Sequence, residues 1–213
     1  MGKGWVEERR KDYYYRRAKR EKYRSRASYK LMQLNKKYQL FSASDVVVDL
    51  GAAPGGWSQV AHEIVGDTGI VVSVDIEDME PIEGVQFIKG DITKERTIDS
   101  VISMIKEIVP ATKRKEERFV DAVISDMSPN ISGNYSIDHA RSVSLAEVAL
   151  SFAKKVLKPG GNFVVKVFQG DMFEDFLKSV KKEFEFAKAH SPEASRASSS
   201  EIYVVGKGYK GES

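Results

Sequence analysis

The chain has no cysteine. That excludes disulfides, thiolate-ligated zinc and a thiol nucleophile, and suits an intracellular protein. Its histidines are His62, His139 and His190, none at the H-x-x-x-H spacing of a helical zinc pair, so no metal site is expected. No apolar run nears the roughly 20 residues that a bilayer span requires, and the N-terminus is charged rather than signal-like. A cytoplasmic protein with no membrane partner is expected. Two phosphate-binding fingerprints are missing as well. Gly51 is followed by Ala-Ala-Pro, which breaks G-x-G-x-x-G, and G-x-x-x-x-G-K-[ST] occurs nowhere.

What is present is unevenly spread. The 213 residues carry a net charge of +3, but residues 1–30 alone hold twelve Lys/Arg against four acids, leaving a net −5 elsewhere. Tyr13, Tyr14, Tyr15, Tyr23 and Tyr29 lie among those cations. Cations neutralise phosphates and aromatic faces stack on unpaired bases, so this segment reads as a nucleic-acid-binding arm. The charged run 112–118 reads as a solvated loop, with an accessory RNA contact as its second use. The chain divides into a basic extension over 1–27, a domain over 28–208 and a tail over 209–213.

Short apolar runs predict strands over 45–50, 70–75, 85–88, 120–125, 162–167, 184–189 and 201–206. Helical spacing predicts helices over 28–38, 57–65, 95–109, 138–157 and 171–182. The stop signal Lys158-Pro-Gly-Gly161 closes the fourth of these helices. Strands alternating with helices imply βαβ units and a doubly wound, mostly parallel sheet.

The first strand runs into Asp49-Leu-Gly-Ala-Ala-Pro-Gly-Gly-Trp57. Glycines after a buried strand admit a ligand closer to the backbone than any Cβ allows, and the helix that follows offers free N–H groups. Asp75 and Asp91 close the next two strands. Three successive strand-end acids, Asp49, Asp75 and Asp91, suit a ligand with an amine, a ribose and an adenine amino group, and would repel phosphates. S-adenosylmethionine (SAM) is such a ligand.

Four further polar residues stand where this fold would gather them. Asp126 follows an apolar strand, Lys166 interrupts another, Glu201 opens the last, and Lys30 lies in the helix after the arm. A lysine inside a central strand is costly unless it is paired or functional.

Lys30, the Asp49–Trp57 loop, Asp75, Gly90-Asp91, Ser125-Asp126-Met-Ser-Pro-Asn, Lys166-Val-Phe-Gln-Gly and Glu201 occur in the order of the FtsJ/RrmJ family. The sequence resembles that family of SAM-dependent RNA 2′-O-ribose methyltransferases from about residue 23 to 208. The resemblance implies a Rossmann-like methyltransferase fold with an antiparallel last strand. It places a Lys-Asp-Lys-Glu catalytic tetrad on Lys30, Asp126, Lys166 and Glu201, and SAM contacts on Gly55, Trp57, Asp75, Asp91 and Asp126. The length is similar to single-domain enzymes that methylate a uridine of large-subunit ribosomal RNA, so that RNA is the expected partner of a monomer. Transfer RNA is the alternative substrate, and a non-catalytic ribosome-assembly factor the alternative function. Two roles for Lys166 stay open: a neutral base for the 2′-hydroxyl, or a cation that stabilises the developing oxyanion.

Overall fold

The structure is a computed structural model that describes residues 13–110, 118–195 and 199–211. Residues 1–12 of the arm, 112–117 of the charged run and the last two of the tail lie outside the described residues. The elements in chain order are α1 (Ser28–Tyr38), β1 (Val46–Leu50), α2 (Gly56–Val65), β2 (Ile70–Asp75), β3 (Val85–Lys89), α3 (Glu95–Ile108), β4 (Val120–Ser125), α4 (Tyr135–Val156), β5 (Leu157–Phe168), α5 (Phe173–Glu183), β6 (Phe184–His190) and β7 (Glu201–Tyr209). They form a seven-stranded sheet in the order β3-β2-β1-β4-β5-β7-β6. β1 to β5 pair in parallel, whereas β7 runs antiparallel to both β5 and β6. The expected sheet, antiparallel last strand included, is the one found.

The last strand runs three residues past its expected end, to Tyr209, and two other boundaries differ as much or more. The long helix starts at Tyr135, because Asn134 caps it by accepting a hydrogen bond from Ile137 N. The stop signal is itself drawn into β5, whose Leu157 pairs with Val120 before an irregularity lets the register resume at Asn162.

Side chains alternate across a strand, and this parity assigns each residue to a face. Val46, Val48, Leu50, Val123, Val165 and Val167 pack toward α3, α4 and α5. Val47, Val71, Ile124, Val164, Tyr203 and Val205 pack toward α1 and α2. Lys166 shares the parity of Val164, Asp126 that of Ile124, and Glu201 that of Tyr203. All three therefore belong to the α1 face, where Lys30 waits. The described part of the arm is helical over 13–20 and docks beside α1, with Ala18, Tyr29 and Ala194 buried together and Tyr14 and Tyr23 packed against them. Among the described residues no helix is long and apolar enough to cross a membrane.

Candidate active site

The carboxyl ends of β1 and β2 are tied into a cradle. Gly51 N and Ala52 N both donate to Val74 O, at 2.9 and 3.1 Å, and Gly90 N donates to Asp75 O at 2.8 Å. Gly51 has φ +76°, and a Cβ there would stand 2.4 Å from Met127 Cγ. Gly55, past a cis Ala53–Pro54 bond, has φ +108°, and a Cβ there would stand 2.9–3.1 Å from side-chain atoms of Ile82, Met79 and Arg24. Only glycine fits both conformation and space. The first intrahelical bond of α2 runs from Gln59 N to Gly55 O, so the N–H groups of Gly56, Trp57 and Ser58 precede it.

Asp75 holds this cradle from below: Oδ2 accepts from Ala53 N at 2.8 Å and Oδ1 from Glu77 N at 2.9 Å. In Asp91, Oδ1 takes both bonds from Thr93, at 2.9 and 2.7 Å, and these bonds to the carboxylate hold it below its usual range. Its Oδ2 takes no hydrogen bond among the described residues. Trp57 reaches the cradle only through its backbone. Its indole is buried, donating to Ala27 O at 2.9 Å and stacked on Tyr203 at 5.7 Å.

Asp49 does not meet the expectation of a ligand-facing acid. It is one residue short of the strand end and shares the parity of Val47, so it points at α2, fully buried. Its Oδ2 accepts from Ser58 Oγ at 2.7 Å, while Oδ1 has no partner. Burial pushes its pKa up to about 7, with the Ser58 bond pulling the other way.

The four tetrad positions do converge. Lys166 Nζ, only 6% exposed, donates to the backbone carbonyl of Asp126 at 2.7 Å and lies 3.3 Å from Asp126 Oδ1 and 3.9 Å from Glu201 Oε1. Glu201 Oε2 accepts from Lys30 Nζ at 2.8 Å. The carboxylate thus sits between two buried ammonium groups. Burial alone would raise its pKa, but Lys30 and Lys166 outweigh that and hold it low.

A family model described as FtsJ-like methyltransferase matches residues 23–209. The chain belongs to the FtsJ-like methyltransferase family. It is 54% identical over 93% of its length to the Ribosomal RNA large subunit methyltransferase E of Methanosarcina mazei, of which it covers 69%. It is 50% identical over 99% of its length to the protein so named in Methanocaldococcus jannaschii, of which it covers 83%. A Plasmodium falciparum crystal structure assigned as a ribosomal RNA methyltransferase superposes with a TM-score of 0.75 at 30% identity, covering 89% of this chain and all of that one.

Within this FtsJ-like site two residues escape a reading of the sequence. Tyr203, fully buried, donates from its hydroxyl to Asp126 Oδ1 at 2.6 Å. Burial, reinforced by that carboxylate, pushes its pKa well up. Parity with Lys166 across the β5–β7 pairing is the signal that points to it. Arg24 clasps the glycine cradle. Its guanidinium donates to Pro54 O at 3.3 Å, to Pro81 O at 2.7 Å and to Glu80 O. Its backbone N–H donates to Gln59 Oε1 at 2.9 Å. Nothing in the local sequence distinguishes it from the other arm cations.

Proposed function

We propose that this protein transfers a methyl group from SAM to the 2′-hydroxyl of a ribose, a uridine of large-subunit ribosomal RNA, acting as a monomer. The observation that carries the reading is the chain Lys30–Glu201–Lys166–Asp126, its lysines buried and its carboxylates partly so, at the mouth of a glycine cradle closed by Asp75 and Asp91. The names of the relatives support the RNA.

The cradle suits SAM by its own chemistry. Gly51 and Gly55 let the loop turn sharply against Met127 and Arg24, the start of α2 offers N–H donors, and Asp91 Oδ2 offers an acceptor to a hydroxyl or amine. Gly55, the backbone N–H of Trp57, Asp75, Asp91 and Asp126 would hold it. When bound, SAM supplies an electrophilic methyl that needs no further activation.

The residues then have to bring a weak nucleophile into line and manage its proton. Holding the two reactants together contributes about 7–11 kcal/mol in well-oriented cases. Lys166 is ringed by a carbonyl and two carboxylates, acceptors that match the three donors of an ammonium group. It therefore serves as a cation toward the 2′-oxygen, stabilising negative charge as it develops in a water-poor site. Asp126, fixed by Tyr203 and Lys166 through Oδ1, keeps Oδ2 to accept the hydroxyl proton. Glu201 orients Lys166 and is neutralised in turn by Lys30. The arm, with Tyr13 and Tyr15 exposed beside Arg and Lys side chains, contributes phosphate contacts outside this centre.

The test is methyl transfer from labelled SAM to large ribosomal subunits taken from cells that lack the protein, with ribose-specific mapping of the product. Lys166→Ala should lose at least 100-fold in rate while SAM affinity stays within about two-fold. Unchanged turnover would reject the mechanism, and label on transfer RNA alone would reject the substrate.

A further inference from the structure

We propose that the loops after β4 and β5 form a prebuilt shelf on which an unpaired base of the RNA substrate stacks, with Tyr135 as its floor. This rests on the RNA methyltransferase reading above. Tyr135 is 61% exposed, Ile131 64%, Ile137 45% and Met172 47%. Single exposed apolar side chains are ordinary. Four of them, drawn from the two loops after β4 and β5 and from the first turn of α4, are not.

The floor is held rigidly. Tyr135 Oη donates to Gln169 O at 2.6 Å, and its ring lies over His139 at 6.3 Å with an interplanar angle of 12°. His139 is itself buried. Its Nε2 accepts from Met172 N at 3.0 Å, which leaves Nδ1 to donate to Phe168 O at 3.0 Å. A Cβ at Gly170 would stand 2.6 Å from the His139 ring, so the loop after β5 is moulded around the imidazole. An aromatic ring already fixed in place loses little freedom when a base settles on it.

The place of the shelf selects its occupant. One loop leaves β4 at Asp126 and the other leaves β5 just past Lys166, so the shelf rises from the two strands that carry the reacting groups. A ribose delivered to Lys166 enters over this edge, and the base of that nucleotide or of its neighbour comes with it. Arg141, exposed and within reach of Asn130 O at 3.4 Å, stands behind Ile131 as a phosphate contact for the same strand. Stacking accepts any base, so the shelf would position the strand without reading its sequence.

Two variants separate stacking from loop support. Tyr135→Phe keeps the ring and loses the Gln169 bond; Tyr135→Ala loses both. Base stacking predicts that Tyr135→Ala lowers kcat/KM on unmethylated large subunits roughly 5- to 150-fold, with Tyr135→Phe near wild type and SAM affinity and Tm unchanged in both. The same order should appear in the anisotropy of a short, labelled, unpaired RNA oligonucleotide, a readout that needs no turnover. Equal losses in the two variants, or none in Tyr135→Ala, would overturn the shelf. Wild-type protein that methylates nothing would overturn the functional reading instead, and the oligonucleotide binding would still decide the shelf.

Discussion

Replacing Asp49 by Asn should make the protein progressively more stable than wild type as the pH rises. The carboxyl is fully buried, with one oxygen bonded to Ser58 and the other without a partner, and its pKa stands at about 7 against 3.8 unperturbed. An acid whose pKa is raised by folding gives stability that is fully present below its unfolded pKa and is lost as the pH climbs through the folded value. The window therefore opens near the unperturbed 3.8 and closes near 7. A tenfold change in proton affinity is worth about 1.4 kcal/mol, so the whole window amounts to roughly 4 kcal/mol. Asn cannot ionise and escapes that loss. The stability difference between variant and wild type should thus widen by about 1.4 kcal/mol for every step of one in pH and level off above about pH 7. Urea denaturation of both proteins at several pH values spanning that window, without SAM, measures it. A difference that stays flat across this range would show that Asp49 ionises normally in the folded protein, so that burial does not hold its proton.

Removing Lys30 leaves Glu201 without its nearest cation, so Lys30→Ala should cost about 3 kcal/mol in denaturant unfolding as well as activity. Glu201 has a lowered pKa, so its contribution is present above its ordinary value of 4.5 and lost as the pH falls below it; Glu201→Gln should flatten the acid limb of the stability profile. Tyr203→Phe deletes a buried hydrogen bond to a carboxylate and should cost about 1.5–3 kcal/mol, with kcat reduced and SAM affinity nearly intact. Arg24→Ala should weaken SAM binding by calorimetry about five-fold, roughly 1 kcal/mol, by freeing the Pro54 and Pro81 carbonyls. Deleting residues 1–22 should reduce the slope of log affinity for RNA against log salt by close to one for every phosphate that the arm neutralises.

Much of the fold and site is legible in the sequence, for definite reasons. Buried parallel strands leave apolar runs, and the runs at Val46–Leu50, Ile70–Asp75 and Val120–Ser125 lie within about one residue of the strands they announce. The convergence of Lys30, Asp126, Lys166 and Glu201 follows from the parity of β4, β5 and β7 once their order is known. That order is tertiary information: nothing local in the sequence says that β7 inserts between β5 and β6. Asp49 departs from expectation because position at a strand end and orientation at a strand end are different things; the alternation of side chains turns it toward Ser58. Trp57 shows the same gap between a motif and the direction of its side chain. The role of Arg24 is invisible in the sequence, since its partners are backbone carbonyls some 30 and 56 residues away. In the arm, Tyr14 and Tyr23 pack onto the domain against Tyr29 of α1, which leaves Tyr13 and Tyr15 with exposed faces.

The strand that completes the site is also the last of the described strands to be synthesised. β7 carries Glu201 and Tyr203, and it is the sole sheet partner of β6 among the described strands. A chain still emerging from the ribosome holds β1 to β5 and the residues of the glycine cradle before β7 exists. At that stage Lys30 has no carboxylate, Asp126 has no tyrosine, and Lys166 lacks one of its two anions. On the proposed mechanism, methyl transfer waits for β7 to slot into the interior of the sheet. On that mechanism activity reports a closed sheet, and a chain cut short before residue 201 would keep the glycine loop without the groups that act on its ligand.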